Sequence, residues 1–176
     1  MSSRSDVAPS YEFRPLTDKD MPLLARWLAE PHVAAWWGDK ETELTGIAET
    51  IDSIAVEPFI IELDGRPIGF IQSYDPYLDD GENPFQDQPT GTLGIDQFIG
   101  EPELVGKGHG TRLIGEFVEM LFEEGAPRVI LDPDAANAVA IRVYEKVGFR
   151  TIRRFKTATG EALLMALDNP EEMDAE

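Results

Sequence analysis

Three glycines, Gly106, Gly108 and Gly110, alternate in the run Val105-Gly106-Lys107-Gly108-His109-Gly110-Thr111. The run stands between a stretch that reads as a strand and one that reads as a helix. Glycines let successive backbone N–H groups point into one concavity, and the helix N-terminus behind them adds partial positive charge. Such a turn can cradle a pyrophosphate. It is not a nucleotide P-loop, because no Gly-Lys-Ser/Thr closes a four-residue gap. Nor is it the dinucleotide fingerprint, which needs two residues between its last glycines. On this segment alone, a purely structural turn explains the glycines as well.

The other chemistry-bearing residues are mostly carboxylates. Against 15 Lys and Arg stand 34 Asp and Glu, a net charge of −19. Nucleic-acid binding needs clustered Lys and Arg, so that partner is excluded. A negative field would concentrate a cationic small molecule, although it also serves plain solubility. Between residues 75 and 103 there is no Lys or Arg, while Asp75, Asp79, Asp80, Glu82, Asp87, Asp96, Glu101 and Glu103 all fall there. The chain has no cysteine, which removes thiolate nucleophiles and cysteine metal sites. Its two histidines, His32 and His109, are far apart in sequence, so no metal is expected. No apolar run approaches the roughly 20 residues of a membrane span. The polar start Met1–Ser10 lacks the apolar core of a signal peptide. These absences read as a cytoplasmic protein with no membrane partner.

The elements that would position these residues follow from periodicity. Tyr11–Leu16 alternates and reads as a first strand. Thr17 or Asp18 caps a helix carrying Met21, Leu23, Leu24, Trp27 and Leu28, with Pro31 as its stop. A weaker helix spans Thr42–Ile54. Two apolar runs around Asp64-Gly65 form a hairpin, Phe59–Leu63 and Pro67–Tyr74. Asp75–Thr90 is a loop long enough to be functional. Thr92–Ile99 is a strand, and the glycine turn then opens a helix carrying Leu113, Ile114, Phe117, Val118, Met120 and Leu121. Arg128–Leu131 is a short buried strand. Asn137 caps a helix over Ala138–Val147, Gly148 stops it, and strands over Phe149–Phe155 and Glu161–Leu167 close the fold. This predicts a single α/β domain over residues 11–168, with a loose leader at 1–10 and an acidic tail at 169–176.

The glycine turn followed by Asn137-Ala138-Val139-Ala140-Ile141-Arg142-Val143-Tyr144-Glu145-Lys146-Val147-Gly148-Phe149 resembles the GCN5-related N-acetyltransferase superfamily. The resemblance covers Tyr11 to Leu167. It implies a twisted mixed sheet of about seven strands flanked by about four helices, splayed into a V between the fourth and fifth strands. Acetyl-CoA is the implied co-substrate. Its pantetheine would lie along Gln97, Phe98 and Ile99, with backbone amides near Phe98 polarising the thioester. Its pyrophosphate would lie on Val105, Gly106, Lys107, Gly108, His109, Gly110 and Thr111, mainly through amides, with the His109 side chain structural. Val105 departs from the Gln or Arg usual in the family. Asn137 both caps its helix and bonds pantetheine. Tyr144 is the implied general acid toward the leaving thiolate, unless it only packs against Ala140 and Val147.

Trp36-Trp37-Gly38, Gly69-Phe70-Ile71-Gln72-Ser73-Tyr74, Gly94-Ile95-Asp96-Gln97 and Leu131-Asp132-Pro133 are similar to segments of the type I aminoglycoside 6′-N-acetyltransferases. Acetyltransferases of hydroxamate-siderophore synthesis share them too. The resemblance implies Asp96 as base for the acceptor amine. It implies Trp37, Gln72, Tyr74, Asp79, Asp80, Asp96 and Asp132 as acceptor contacts. Asp96 could instead be a solvated strand end, Asp132 an Asx turn before Pro133, and one Trp of the pair a core residue. The acceptor is then a cationic small molecule, and the protein a monomer or homodimer. A non-catalytic acyl-CoA sensor is the rival from another class, and the presence of Asp96 and Tyr144 speaks against it.

Overall fold

The computed structural model describes residues 10–78 and 84–171. Asp79 and Asp80 lie outside the described residues. The strands are β1 (Tyr11–Pro15), β2 (Val56–Leu63), β3 (Arg66–Tyr74), β4 (Leu93–Ile99), β5 (Arg128–Leu131), β6 (Arg150–Thr157) and β7 (Gly160–Asp168). The helices are α1 (Met21–Leu28), α2 (Pro31–Trp37), α3 (Lys40–Thr50), α4 (His109–Glu123) and α5 (Ala138–Val147). One seven-stranded sheet runs in the order β1-β2-β3-β4-β5-β7-β6. All its pairings are antiparallel except β4 with β5, whose register holds only Leu93 opposite Val129 and Gly94 opposite Ile130.

Alternation along the strands gives each face its own core. On one face Ile71, Ile95, Val129 and Met165 pack against Leu113 and Phe117 of α4 and Tyr144 of α5. On the other, Ile60, Phe70 and Phe98 meet Leu24, Trp27 and Leu28 of α1, Val33 of α2 and Ile47 of α3. Leu24, Phe70 and Phe117 are fully withdrawn from water, a contribution of about 1.5–3 kcal/mol apiece. Further along this second face, Phe85 from the long loop covers Ile130, Leu164 and Ala166.

The far end of β4 is fastened to α1. A Cβ on Gly100 would sit 2.1 Å from Cγ of Trp27, so only glycine lets that indole close down. The indole Nε1 donates to Glu101 at 2.7 Å, and the same carboxylate accepts from Arg26 at 2.6 Å and Arg66 at 3.3 Å. The hairpin turn has both Asp64 (φ 50°) and Gly65 (φ 87°) left-handed, as a two-residue hairpin turn of this twist requires.

Two elements differ from expectation. Pro31 does not merely follow α1; it opens α2 at its first position, where a missing N–H leaves no bond unmade. The Trp36-Trp37 pair therefore lies on a helix. The next helix starts at Lys40 rather than Thr42, because Asp39 accepts from the Thr42 amide at 2.9 Å and caps it. By contrast β5 and α5 keep the bounds read from sequence, and Asn137 caps α5 by accepting from the Ala140 amide at 3.2 Å.

Candidate active site

After Gly94 and Ile130 the two parallel strands part, and β4 runs on to Ile99 while β5 stops at Leu131. The opening is a cleft of about 880 Å³, within the size range of small-molecule sites. It passes through the sheet, with α2 and α3 at one mouth and the glycine turn and α5 at the other.

The β4 edge in this gap is backbone. Gly100 N–H donates back to Ile68 O at 2.7 Å. Amides alternate sides along a strand, so those of Asp96 and Phe98 also point to β3, while those of Gln97 and Ile99 point into the gap. Among the amides expected near Phe98 to meet a thioester, those of Gln97 and Ile99 face the gap and that of Phe98 itself does not. The Ile99 carbonyl is already engaged: His32 on α2 donates to it from Nε2 at 2.8 Å.

Side chains alternate in the opposite sense. Asp96 and Phe98 lie on the α1–α3 face, and Gln97 on the α4–α5 face. Gln97 Nε2 donates to the Tyr144 hydroxyl oxygen at 3.2 Å, which leaves the phenolic hydrogen free to be given elsewhere. Burial pushes Tyr144 up to about 12, so it is a protonated donor at neutral pH. Asp96 and Tyr144 thus approach one gap from opposite faces of the sheet.

Asp96 is held above the usual carboxylate range by burial, against which a hydrogen bond from Gln72 works. Asp132, at the end of β5, is pushed up to about 8 by burial and then by the Asp96 charge. Glu43 of α3 lines the same cleft and is raised by burial, then by Asp96 and Asp39. Several carboxylates elsewhere that are as buried have cationic partners: Asp20 and Glu62 pair with Arg14, Glu101 with Arg26 and Arg66, and Asp168 with Arg128 and Arg150. Among the described residues no Lys or Arg lines the cleft.

At the other mouth Gly106 (φ 77°) and Gly108 (φ 86°) are left-handed, and the space where a Cβ would stand is open. No side chain caps α4, so its first-turn amides stay available. Val105, Gly106, Gly108, Gly110, Thr111 and Asn137 line the cleft. Lys107 and His109 do not. The His109 ring turns away to β1, where the Tyr11 hydroxyl meets Nδ1 at 2.6 Å.

Of the expected acceptor residues, Trp37, Gln72, Asp96 and Asp132 line the cleft, as do Gln97, Phe98 and Ile99 of β4. Trp37 packs edge-on to Phe98 and Phe70, whereas Trp36 is 49% exposed and forms the open wall. Tyr74 is not part of the lining; its ring crosses Gly94, whose Cβ would lie 2.1 Å from Tyr74 Cζ. Of the acids between residues 75 and 103 that are described, Asp87 pairs with Arg153, and Glu103 with Arg66. Sequence reasoning missed His32 and Glu43. His32 and Trp36 are four apart on one helix face, a signal hidden once Pro31 is read as a stop. Glu43 has no such signal, since only the turn at Gly38 (φ 87°) brings α3 to the mouth. No helix among the described residues is long and apolar enough to cross a membrane, and no cluster of three is placed to hold a metal.

Comparison with known proteins agrees with this geometry. The family described as "Acetyltransferase (GNAT) domain" matches residues 17–157. The chain is 34% identical over 165 residues to an aminoglycoside N(6′)-acetyltransferase type 1 of Klebsiella pneumoniae, covering 89% of this chain and 82% of that one. It is 28% identical to the lysine N-acyltransferase MbtK of Mycolicibacterium paratuberculosis, over 92% of this chain and 75% of that one. A crystal structure of the aminoglycoside acetyltransferase AAC(6′)-Ib with coenzyme A and kanamycin superposes with a TM-score of 0.80, at 31% identity, covering 94% of this chain and 98% of that one.

Proposed function

The chain belongs to the GNAT acetyltransferases, and from that premise we propose that it transfers the acetyl group of acetyl-CoA to the 6′-amine of an aminoglycoside. The supporting observation is the cleft itself. A base and an acid stand on opposite faces of the gap, and the acceptor mouth carries Asp96, Asp132 and Glu43 with no Lys or Arg among the described lining residues. A polycationic amine supplies the missing charges. The glycine turn fits the donor, since its amides are uncapped and its Cβ positions are open.

The residues divide the work. Acetyl-CoA, when bound, brings the activated acyl carbon as a thioester. Val105–Thr111 hold its pyrophosphate on backbone N–H groups. Asp96 takes a proton from the acceptor ammonium, directly or through a water, so that the nitrogen lone pair can attack. Asp132 and Glu43 hold further ammonium groups and fix the amine in line. The Gln97 and Ile99 amides face the charge that develops on the thioester oxygen. Tyr144 gives its hydroxyl proton to the departing sulfur. The second proton of the amide nitrogen restores the Tyr144 hydroxyl by way of solvent, and Asp96 returns the proton it took to solvent, so one proton is released per turnover. No acyl-enzyme is required.

Thiol release from acetyl-CoA with kanamycin or tobramycin tests this reading, and a rate no greater than hydrolysis would sink it. The likeness to the lysine N-acyltransferase, beside the resemblance to acetyltransferases of hydroxamate-siderophore synthesis, supports a second reading, a siderophore precursor of the hydroxylysine type as acceptor. An N6-hydroxylysine substrate turning over far faster than any aminoglycoside would decide for it.

A further inference from the structure

Gln72 and Asp96 are cross-strand partners on β3 and β4. Gln72 Nε2 donates to Asp96 Oδ2 at 3.0 Å. The other end of the same amide, Oε1, is buried and has no hydrogen-bond partner. An apolar side chain at this position would remove that unpaired oxygen but would leave Asp96 Oδ2 without its donor. One N–H of Nε2 is committed to Asp96, and Oε1 is withdrawn from solvent.

We infer that Gln72 is a positioning residue: it fixes Oδ2 of Asp96 and leaves Oδ1 for the acceptor amine. The inference rests on the reading of Asp96 as the base. The groups that face Asp96 are Glu43 from α3, Asp132 from the end of β5 and Tyr144 from α5. All are acids, and none favours a negative charge on their neighbour. The Gln72 donor works against that surround and against burial. A hydrogen bond to the charged form favours the charged form, so losing it raises the proton affinity of Asp96.

The experiment uses Gln72→Leu and Gln72→Met in the full chain, two apolar replacements of similar size. The titration of the Asp96 carboxyl is followed by carbon NMR on aspartate-labelled protein, assigned with Asp96→Asn. The midpoint should rise by about one pH unit, a tenfold change in proton affinity. The acid limb of kcat/KM for an aminoglycoside should move up with it, while KM for acetyl-CoA and plateau KM for the acceptor stay as in the parent. An unmoved titration with a raised acceptor KM would make Gln72 a contact residue and overturn the inference. An unmoved titration with only a lower Tm would make it a packing residue and overturn it equally. The titration needs no acceptor, so the two readings can fail separately. A parent protein that acetylates no amine would remove the catalytic role of the pair even if the midpoint shifts.

Discussion

The glycine turn and the acceptor mouth sit at opposite ends of one cleft and are built of different material. Residues 105–111 present backbone amides around left-handed glycines, and the side chains of Lys107 and His109 stay outside the lining. The acceptor mouth presents side chains from three separate elements: Glu43 from α3, Asp96 from β4 and Asp132 from the end of β5. A backbone site tolerates most changes of residue type but not the addition of a Cβ at its glycines. A side-chain site tolerates backbone variety but not the loss of one functional group.

Substitutions can break or sharpen that contrast. The largest effect belongs to the side-chain end: Asp96→Asn should lower kcat by about 10²-fold or more, measured by thiol release with a saturating aminoglycoside. A rate near the parent's would remove proton transfer from this end altogether. At the backbone end, Gly108→Ala forces a Cβ into a left-handed position, a strain of roughly 1–2 kcal/mol, and should raise KM for acetyl-CoA roughly tenfold. Its neighbour Lys107→Ala should change that KM by less than about threefold, since only the amide is used. Equal effects from the two would erase the distinction.

The smallest effect is thermodynamic. With no cation bound, burial and the Asp96 charge push Asp132 up to about 8, against 3.8 for an unfolded aspartate. Across that window the native state binds more protons than the unfolded one, so stability falls as pH rises. Asp132→Asn has no such proton to lose and should raise Tm at pH 8, with the gain shrinking toward pH 5. A relief of about 1–2 kcal/mol corresponds to roughly 2–8 °C in a chain of this size. The same variant should bind a polycationic acceptor less tightly, setting function against stability.

The contrast also explains what could be read in advance. The turn was legible because alternating glycines before an amphipathic helix are a local pattern with a local cause. Asn137 and α5 were legible for the same reason, a cap followed by an apolar stripe. Asp96 and Asp132 could be marked only through resemblance, since nothing near them in sequence says that they face one another. Glu43 could not be marked at all, because its place depends on how α3 leaves Gly38. The helix at Pro31 was misread because proline ends one helix and begins another by the same missing N–H. Gln72 is marked by resemblance as an acceptor contact, and only the geometry shows that its amide is also turned to Asp96.

The pairing of β4 with β5 at only two residue pairs has a mechanical consequence. In its own plane the sheet is two plates, β1–β4 and β5–β7–β6, riveted at Leu93–Gly94 and Val129–Ile130. A guest that lay along the open β4 edge and also touched β5 would span both plates and act as the missing rivets. Occupancy would therefore register far from the cleft, as a stiffening of the whole sheet.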